Sequence, residues 1–327
     1  MASIPLSVRS EPHPNLRPLN ILRDLPAVAD LIELCFSDTM DRDGQRYVQD
    51  MRRAGRDDSF LRWATRMAES TSLPLTGYVW EEGGRLVGNA SLVPFRHKGR
   101  KLYLIANVAV HPEFRRRGIA RMLTERALKH AAERKVRDIW LHVRDDNPGA
   151  IKLYANLGFH ERARRTFWQA HGEPSAKYAP RDVTVANRAP SHWPQQQEWL
   201  RRLYPEPLNW YRPWSFSILQ PGLRNWIYRT FVDLNVRQWS AVSGSQLEAV
   251  LAWIPSTGES NGLWLAARPH ANADAVTALL LNVRRTLLHY PNLSLELPAG
   301  EAEDAIRAAG FDDLRTLIWM EYAGATS

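Results

Sequence analysis

VAVHPEFRRRGIA, residues 108–120, carries a strand into a basic turn and then directly into a helix. Val108, Ala109 and Val110 end a β-branched, apolar run. Beyond Gly118 the apolar residues Ile119, Met122, Leu123, Ala127 and Ala131 recur at the 3–4 spacing of one buried helical face, which predicts a helix over 119–134. The first amides of such a helix have no partner inside it, and the helix dipole adds partial positive charge at the same point. A turn of this kind favours an anion, and Gly118 and Ala120 keep the approach free of bulk. Residues 96–137 hold 13 Lys and Arg against 3 Asp and Glu, a net charge of +10. A solvated helix face would account for the charge but not for the small residues at the strand-to-helix junction, so a phosphate-bearing ligand is expected here.

Around this stretch the pattern alternates between strand-like and helix-like runs. A first strand is expected near 19–25, then amphipathic segments at 26–36 and 45–69. Strands follow at 77–82, 85–94 and 103–110, the first two joined by the turn Glu82, Gly83, Gly84. After the helix at 119–134 come a strand at 138–143, a short helix at 150–157 and a strand at 159–171. Residues 172–190 read as a linker running into a new strand at 183–188. Beyond it the pattern repeats. Residues 80–94 align with 241–255 at an offset of 161, and residues 141–159 with 293–311 at an offset of 152. The expectation is one α/β (α+β) fold used twice: a flexible N-terminus at 1–15, a first domain at 16–171 and a second at 191–327.

Downstream of the turn lies NPGAIKLYANLGF, residues 147–159. Together the two segments resemble the GNAT superfamily of N-acetyltransferases. Arg115, Gly118 and Ala120 meet its R-x-x-G-x-A signature. Asn147, Ala150, Ile151, Leu153, Tyr154, Gly158 and Phe159 meet the second signature, N-x-x-A-[IV]-x-L-Y-x-x-x-G-F. The likeness spans about residues 77–170 and is greatest to the branch that acetylates protein N-termini, ribosomal proteins included. It implies acetyl-CoA as cosubstrate and an amine as acceptor, borne by a small molecule or a peptide or protein N-terminus. Val108, Ala109 and Val110 would pair with the pantetheine arm. Arg115, Arg116, Arg117, Gly118, Ile119, Ala120 and Arg121 would hold the pyrophosphate, and Asn147 would touch the cofactor arm. Tyr154 would be the general acid that protonates the departing thiolate. In the N-terminal-amine branch a Glu on the fifth strand assists deprotonation of the amine; His142 stands there, which makes it the candidate general base. His111, Tyr103 or a water chain are the alternatives.

In the second copy Tyr154 aligns with Ile306 and Asn147 with Ala299, and no R-x-x-G-x-A occurs near residues 266–275. The second domain is thus expected to be a degenerate, non-catalytic copy, as in tandem members of the superfamily. Residues 193–239 hold eleven aromatic residues, read first as core and inter-copy packing and otherwise as the wall of an acceptor pocket.

The chain has 43 Lys and Arg against 35 Asp and Glu, but residues 1–171 carry +9 and residues 172–327 carry −1. Basicity confined to one half argues for a local anion site rather than a diffuse nucleic-acid coat. The single cysteine, Cys35, forms no internal disulfide or cysteine-based zinc site and reads as a core thiol, so a reducing, cytoplasmic compartment and no metal are expected. No run reaches the ~18 apolar residues of a membrane span. GxGxxG, GxxxxGK[ST], HExxH and GxSxG motifs do not occur. Two alternative readings stay open: a non-catalytic acyl-CoA sensor, and an RNA or ribosome-surface binder that would use Arg62, Arg66, Arg96, Lys98, Arg100 and Lys101.

Overall fold

The computed structural model describes residues 13–40, 42–57, 75–174, 180–211, 216–222, 235–255 and 261–323. The chain forms two compact units, one of residues 1–163 and 318–327 and the other of residues 164–317.

Unit 1 contains β1 (Leu16–Pro18), α1 (Ile21–Phe36), α2 (Arg42–Ala54), β2 (Thr76–Glu82), β3 (Arg85–His97), β4 (Arg100–Val110), α3 (Ile119–Glu133), β5 (Asp138–Arg144), α4 (Pro148–Asn156), the start of β6 (Phe159–Ala170) and the end of β12 (Phe311–Tyr322). The strand expected near 19–25 is instead the start of α1. Asn20 caps the helix by accepting from the Leu22 amide at 3.1 Å, and Asp24 is buried against Arg17 at 2.6 Å, so a polar cap overrides the apolar run. The N-terminus expected to be flexible is partly ordered: His13 stacks on Trp80 with ring centroids 4.3 Å apart, and the Asn15 carbonyl accepts from the Glu81 amide. Residues 1–12 of that segment lie outside the described residues, as do residues 58–69 of the second amphipathic run.

The strands of unit 1 run in the order β1-β2-β3-β4-β5-β12, with β1 to β4 antiparallel and β4 parallel to β5. A parallel step needs a crossover, supplied by α3, and the crossover puts the N-terminus of α3 at the C-terminal end of β4. Gly88 allows α3 to lie close to the sheet. A Cβ there would meet Ile119 at 2.9 Å and Leu123 and Trp80 at 3.0 Å.

Unit 2 repeats the plan with β7 (Val183–Asn187), α5 (Trp193–Leu203), β8 (Arg237–Ser243), β9 (Gln246–Trp253), β10 (Asn261–Ala267), α6 (Ala273–Thr286), β11 (Leu293–Pro298) and α7 (Glu303–Ala308). Its strand order is β6-β11-β10-β9-β8-β7, again with one parallel step, β10 to β11. The irregularity in β2–β3 pairing at Trp80/Glu81 recurs in β8–β9 at Ala241/Val242, an offset of 161 residues. This is the spacing read from the sequence.

The division between the units falls within β6, at 163/164, and within β12, at 317/318, and β7 lies where the new strand is expected, at 183–188. Backbone pairing decides this: Arg165 to Gln169 of β6 register with Pro298 to Ser294 of β11. Of the aromatic segment, Trp193, Trp199, Tyr204, Trp210 and Trp239 are buried, all but Trp210 in the unit 2 core cluster, which favours the core reading. Trp214, Trp226, Tyr228 and Phe231 lie outside the described residues. No described helix is long and apolar enough to cross a membrane.

Gly88→Val should destabilise the protein by about 1–3 kcal/mol through overpacking between α3 and β3. Urea denaturation measures this, and an unchanged midpoint would show that α3 can shift outward without loss.

Candidate active site

The turn after β4 is built by the backbone. Pro112–Phe114 form one 3-10 turn, Arg115 is extended, and Arg116 and Gly118 both take left-handed conformations, at φ 66° and 78°. The Arg115 amide donates to the Pro112 carbonyl, and the next amide with a backbone partner is that of Met122, which donates to the Gly118 carbonyl. The six amides from Arg116 to Arg121 make no backbone hydrogen bond among the described residues. Successive free amides in a left-handed turn at a helix N-terminus form an anion cradle.

Most of the arginine side chains here are anchored. Arg115 Nε donates to the Val110 carbonyl at 3.1 Å. Arg117 lies over Phe114 and pairs with Glu82, and Arg121 pairs with Glu125 at 2.8 Å. Arg116 is exposed.

β4 and β5 register only from Leu102↔Asp138 to Ile105↔Leu141. Beyond that point β4 bulges, because Asn89↔Ala109 is followed by Ser91↔Ala106, so that Ala90 alone stands opposite Asn107 and Val108. Asn107 has φ 52°, a left-handed state that asparagine tolerates better than most side chains. Two partners hold it there. Buried Asn89 donates from Nδ2 to the Asn107 carbonyl at 2.9 Å, and Asn107 Nδ2 donates to the Tyr47 hydroxyl of α2 at 2.8 Å. Since the peptide is trans and planar, the Val108 N–H points opposite to the Asn107 carbonyl that Asn89 holds.

Tyr154 sits on α4, whose first turn is capped by Asn147 Oδ1 accepting from the Ala150 amide at 3.1 Å. Its ring is buried beside Phe159, and burial pushes the phenol well above its ordinary pKa. The hydroxyl has no hydrogen-bond partner among the described residues. His142 follows Leu141, the last residue of β5 paired with β4, and its ring lies 5.1 Å from that of Trp319 on β12. Two further residues are candidates for the base. Tyr103 is enclosed in the core with its ring against His130. Buried His111 has Arg85 Nη2 at 2.6 Å from Nε2; arginine only donates, so Nε2 accepts and Nδ1 faces Glu113 at 3.8 Å.

Four neighbours of the site escaped the sequence reading. Asn89 and Ser91 interrupt the apolar run Val87 to Pro94, a usable signal; Tyr47 and Trp319 carried none, since one lies on a distant helix and the other on the last strand. Cys35 also proves to be near: its Sγ is 3.4 Å from the Val110 carbonyl, and burial raises the thiol pKa against the opposing effect of Arg115. Of the 13 cations of the +10 segment, Arg115, Arg116, Arg117 and Arg121 border the cradle.

In unit 2 the corresponding helix start is closed. Asn272 Oδ1 accepts from the Asp274 and Ala275 amides, Asp274 puts negative charge in the first turn, and the buried Glu248 carboxylate accepts from the Asn272 amide at 2.9 Å. β10 pairs with β9 without a bulge.

Residues 29–159 match the acetyltransferase (GNAT) family. The chain is 46% identical over 63 residues to the [ribosomal protein bS18]-alanine N-acetyltransferase of Salmonella typhimurium, covering 19% of this chain and 43% of that protein. It is 44% identical over 57 residues to the mycothiol acetyltransferase of Tsukamurella paurometabola, covering 17% of this chain and 20% of that protein. The chain therefore spans less than half the length of these curated relatives. A GCN5-related N-acetyltransferase from Sphaerobacter thermophilus matches the fold over 95% of this chain and 96% of its own, with a TM-score of 0.55 and 16% identity.

Gly118→Ala keeps open space around the added Cβ, whose nearest neighbour would be Met122 at 3.8 Å, but forces a left-handed alanine. A loss of about 1–2 kcal/mol in stability is expected, with weaker coenzyme A binding by calorimetry. Undiminished binding would show that the turn's geometry is not needed.

Proposed function

We propose that unit 1 is an acetyl-CoA-dependent N-acyltransferase that passes the acyl group directly to a primary amine, and that unit 2 is its non-catalytic copy. The observation that carries this reading is the run of unpartnered amides from Arg116 to Arg121 beside the gap between β4 and β5. These groups suit a pyrophosphate, and the unpaired end of β4, Val108 to Val110, suits the amide-bearing pantetheine arm. Asn147 keeps Nδ2 for the same arm, since its cap uses Oδ1. When bound, acetyl-CoA supplies an activated acyl carbon and a thiolate leaving group. The Val108 N–H would donate to the acyl oxygen, a preorganised dipole of the kind that supplies the largest share of acyl-transfer catalysis.

Tyr154 supports the reading as a proton source. Its raised pKa keeps the phenol protonated throughout the neutral range, and an unpartnered hydroxyl is free to turn toward a sulfur. His142 is the candidate base, held against Trp319 on the face of β5 opposite the α3 side. The acceptor is an amine-bearing small molecule or a peptide N-terminus. The ribosomal relatives favour the peptide; His142 in place of the expected Glu leaves the amine's carrier open.

Free thiol should be released from acetyl-CoA when the intact protein is given a panel of amines and N-terminal peptides; no binding of acetyl-CoA would overturn the reading. Tyr154→Phe should lower kcat by about 10–100-fold with little change in cofactor KM, a typical scale for one proton-transfer group or somewhat below it. The sign of the pH dependence follows from the raised phenol pKa. Ionisation of Tyr154 should cause no fall in kcat below about pH 10, the ordinary phenol value. A limb below pH 10 that disappears in Tyr154→Phe would contradict the assigned environment.

A further inference from the structure

Parallel pairing of β4 with β5 separates the cations that the sequence places together. β4 runs from Arg100 to Val110, and the turn from Arg115 to Arg121 follows its far end. α3 then returns through 15 residues, about 22 Å at 1.5 Å per residue, before Arg134, Lys135 and Arg137 lead into β5. The register Leu102↔Asp138 sets those three residues level with the β3–β4 hairpin tip, which carries Arg96, Lys98, Arg100 and Lys101. Seven cations, with His97, thus gather at the pole of unit 1 opposite the amide cradle. Against them stand Glu133, which pairs with Arg126, and Asp138, which lies 3.7 Å from Arg100. The net charge of this pole is +5, from seven cations and two carboxylates.

Arg96 stands directly opposite Lys101 across an antiparallel pair, where like charges are destabilising. Lys98 and Gly99 form the tip with left-handed conformations at φ 49° and 79°, fixing both strands' side chains in register. Arg96, Lys98, Arg100, Arg134, Lys135 and Arg137 are all exposed.

We infer that this pole is a docking surface for the phosphate backbone of a double-stranded nucleic acid, separate from the coenzyme site. The chemistry around the charges selects the partner. Large exposed hydrophobic residues among the described ones are Leu22, Leu34, Leu288, Tyr290 and Leu314, and none lies in the hairpin tip or the loop before β5. A protein partner is anchored by apolar or aromatic side chains, and an anionic membrane surface, which attracts the same cations, is distinguished by the vesicle arm of the test. Base stacking on single strands needs exposed rings. A phosphate backbone needs none of these, since its affinity comes from cations and counterion release. Arg62 and Arg66 lie outside the described residues and take no part in this inference.

The test uses the intact protein saturated with coenzyme A, with binding of labelled RNA and DNA duplexes followed by anisotropy between 50 and 200 mM salt. Five phosphate contacts predict a loss of about 10²–10³-fold in affinity over that range. Lys98→Glu with Lys135→Glu should weaken binding more than tenfold and flatten the salt slope by about two contacts, while coenzyme A binding and thermal stability stay unchanged. The RNA and DNA arms identify which duplex is the better ligand. The inference is overturned if neither duplex binds at 50 mM salt, if coenzyme A abolishes binding, if the double variant binds as well as the parent, or if polyglutamate or anionic vesicles bind as tightly as the duplexes.

Discussion

The left-handed backbone of Asn107 is the constraint from which the geometry of unit 1 follows. It inserts one extra residue into β4, ends the parallel ladder with β5 after Ile105, and leaves Val108 to Val110 paired on one side only. A left-handed asparagine is modestly unfavourable by itself, so the surroundings must hold it. Asn89 beneath and Tyr47 above do so with one hydrogen bond each, and Asn89 is fully enclosed. Beyond Ile105 the edge of β4 that faces β5 is left without a ladder partner in β5.

The same architecture without this constraint is visible in unit 2. There the β9–β10 pairing is regular, and the helix start is satisfied by Asn272 and by the carboxylate of Glu248. An anion would have to displace protein acceptors from those amides and face Asp274 as well. The unit without the signature residues is also the one whose helix start is satisfied by polar side chains of the chain itself. The buried helix α6 and the aromatic core around Trp253 and Trp264 survive, since they depend on apolar burial and not on a ligand.

Much of this was legible in the sequence. Periodicity located β2 to β5, α3 and α4, because amphipathic helices and half-buried strands advertise their period. The repeat offset of 161 reappeared in the position of a strand irregularity. Gly118 stood out as a small residue at a strand-to-helix junction, and Tyr154 through the resemblance of residues 147–159 to the superfamily's second signature. The first strand was misplaced because the capping oxygen of Asn20 outweighed an apolar run. Asn89 was passed over because a polar residue inside a strand gives no sign of whether it faces solvent or a buried carbonyl.

What the sequence determined by itself is the set of local conformations: which segments are helices and strands, where the turn must be small and basic, and that one plan occurs twice. These depend on interactions within about a turn or two of chain. Tertiary structure decided which distant segments share a strand ladder, and hence that β6 and β12 are each divided between units, that Trp319 backs His142, and that a net +10 is spread over two poles of unit 1. Backbone pairing is nearly indifferent to side-chain identity, so its partners are chosen by the packing of the whole unit. Charge that is contiguous along the chain is separated in space by the length of one helix.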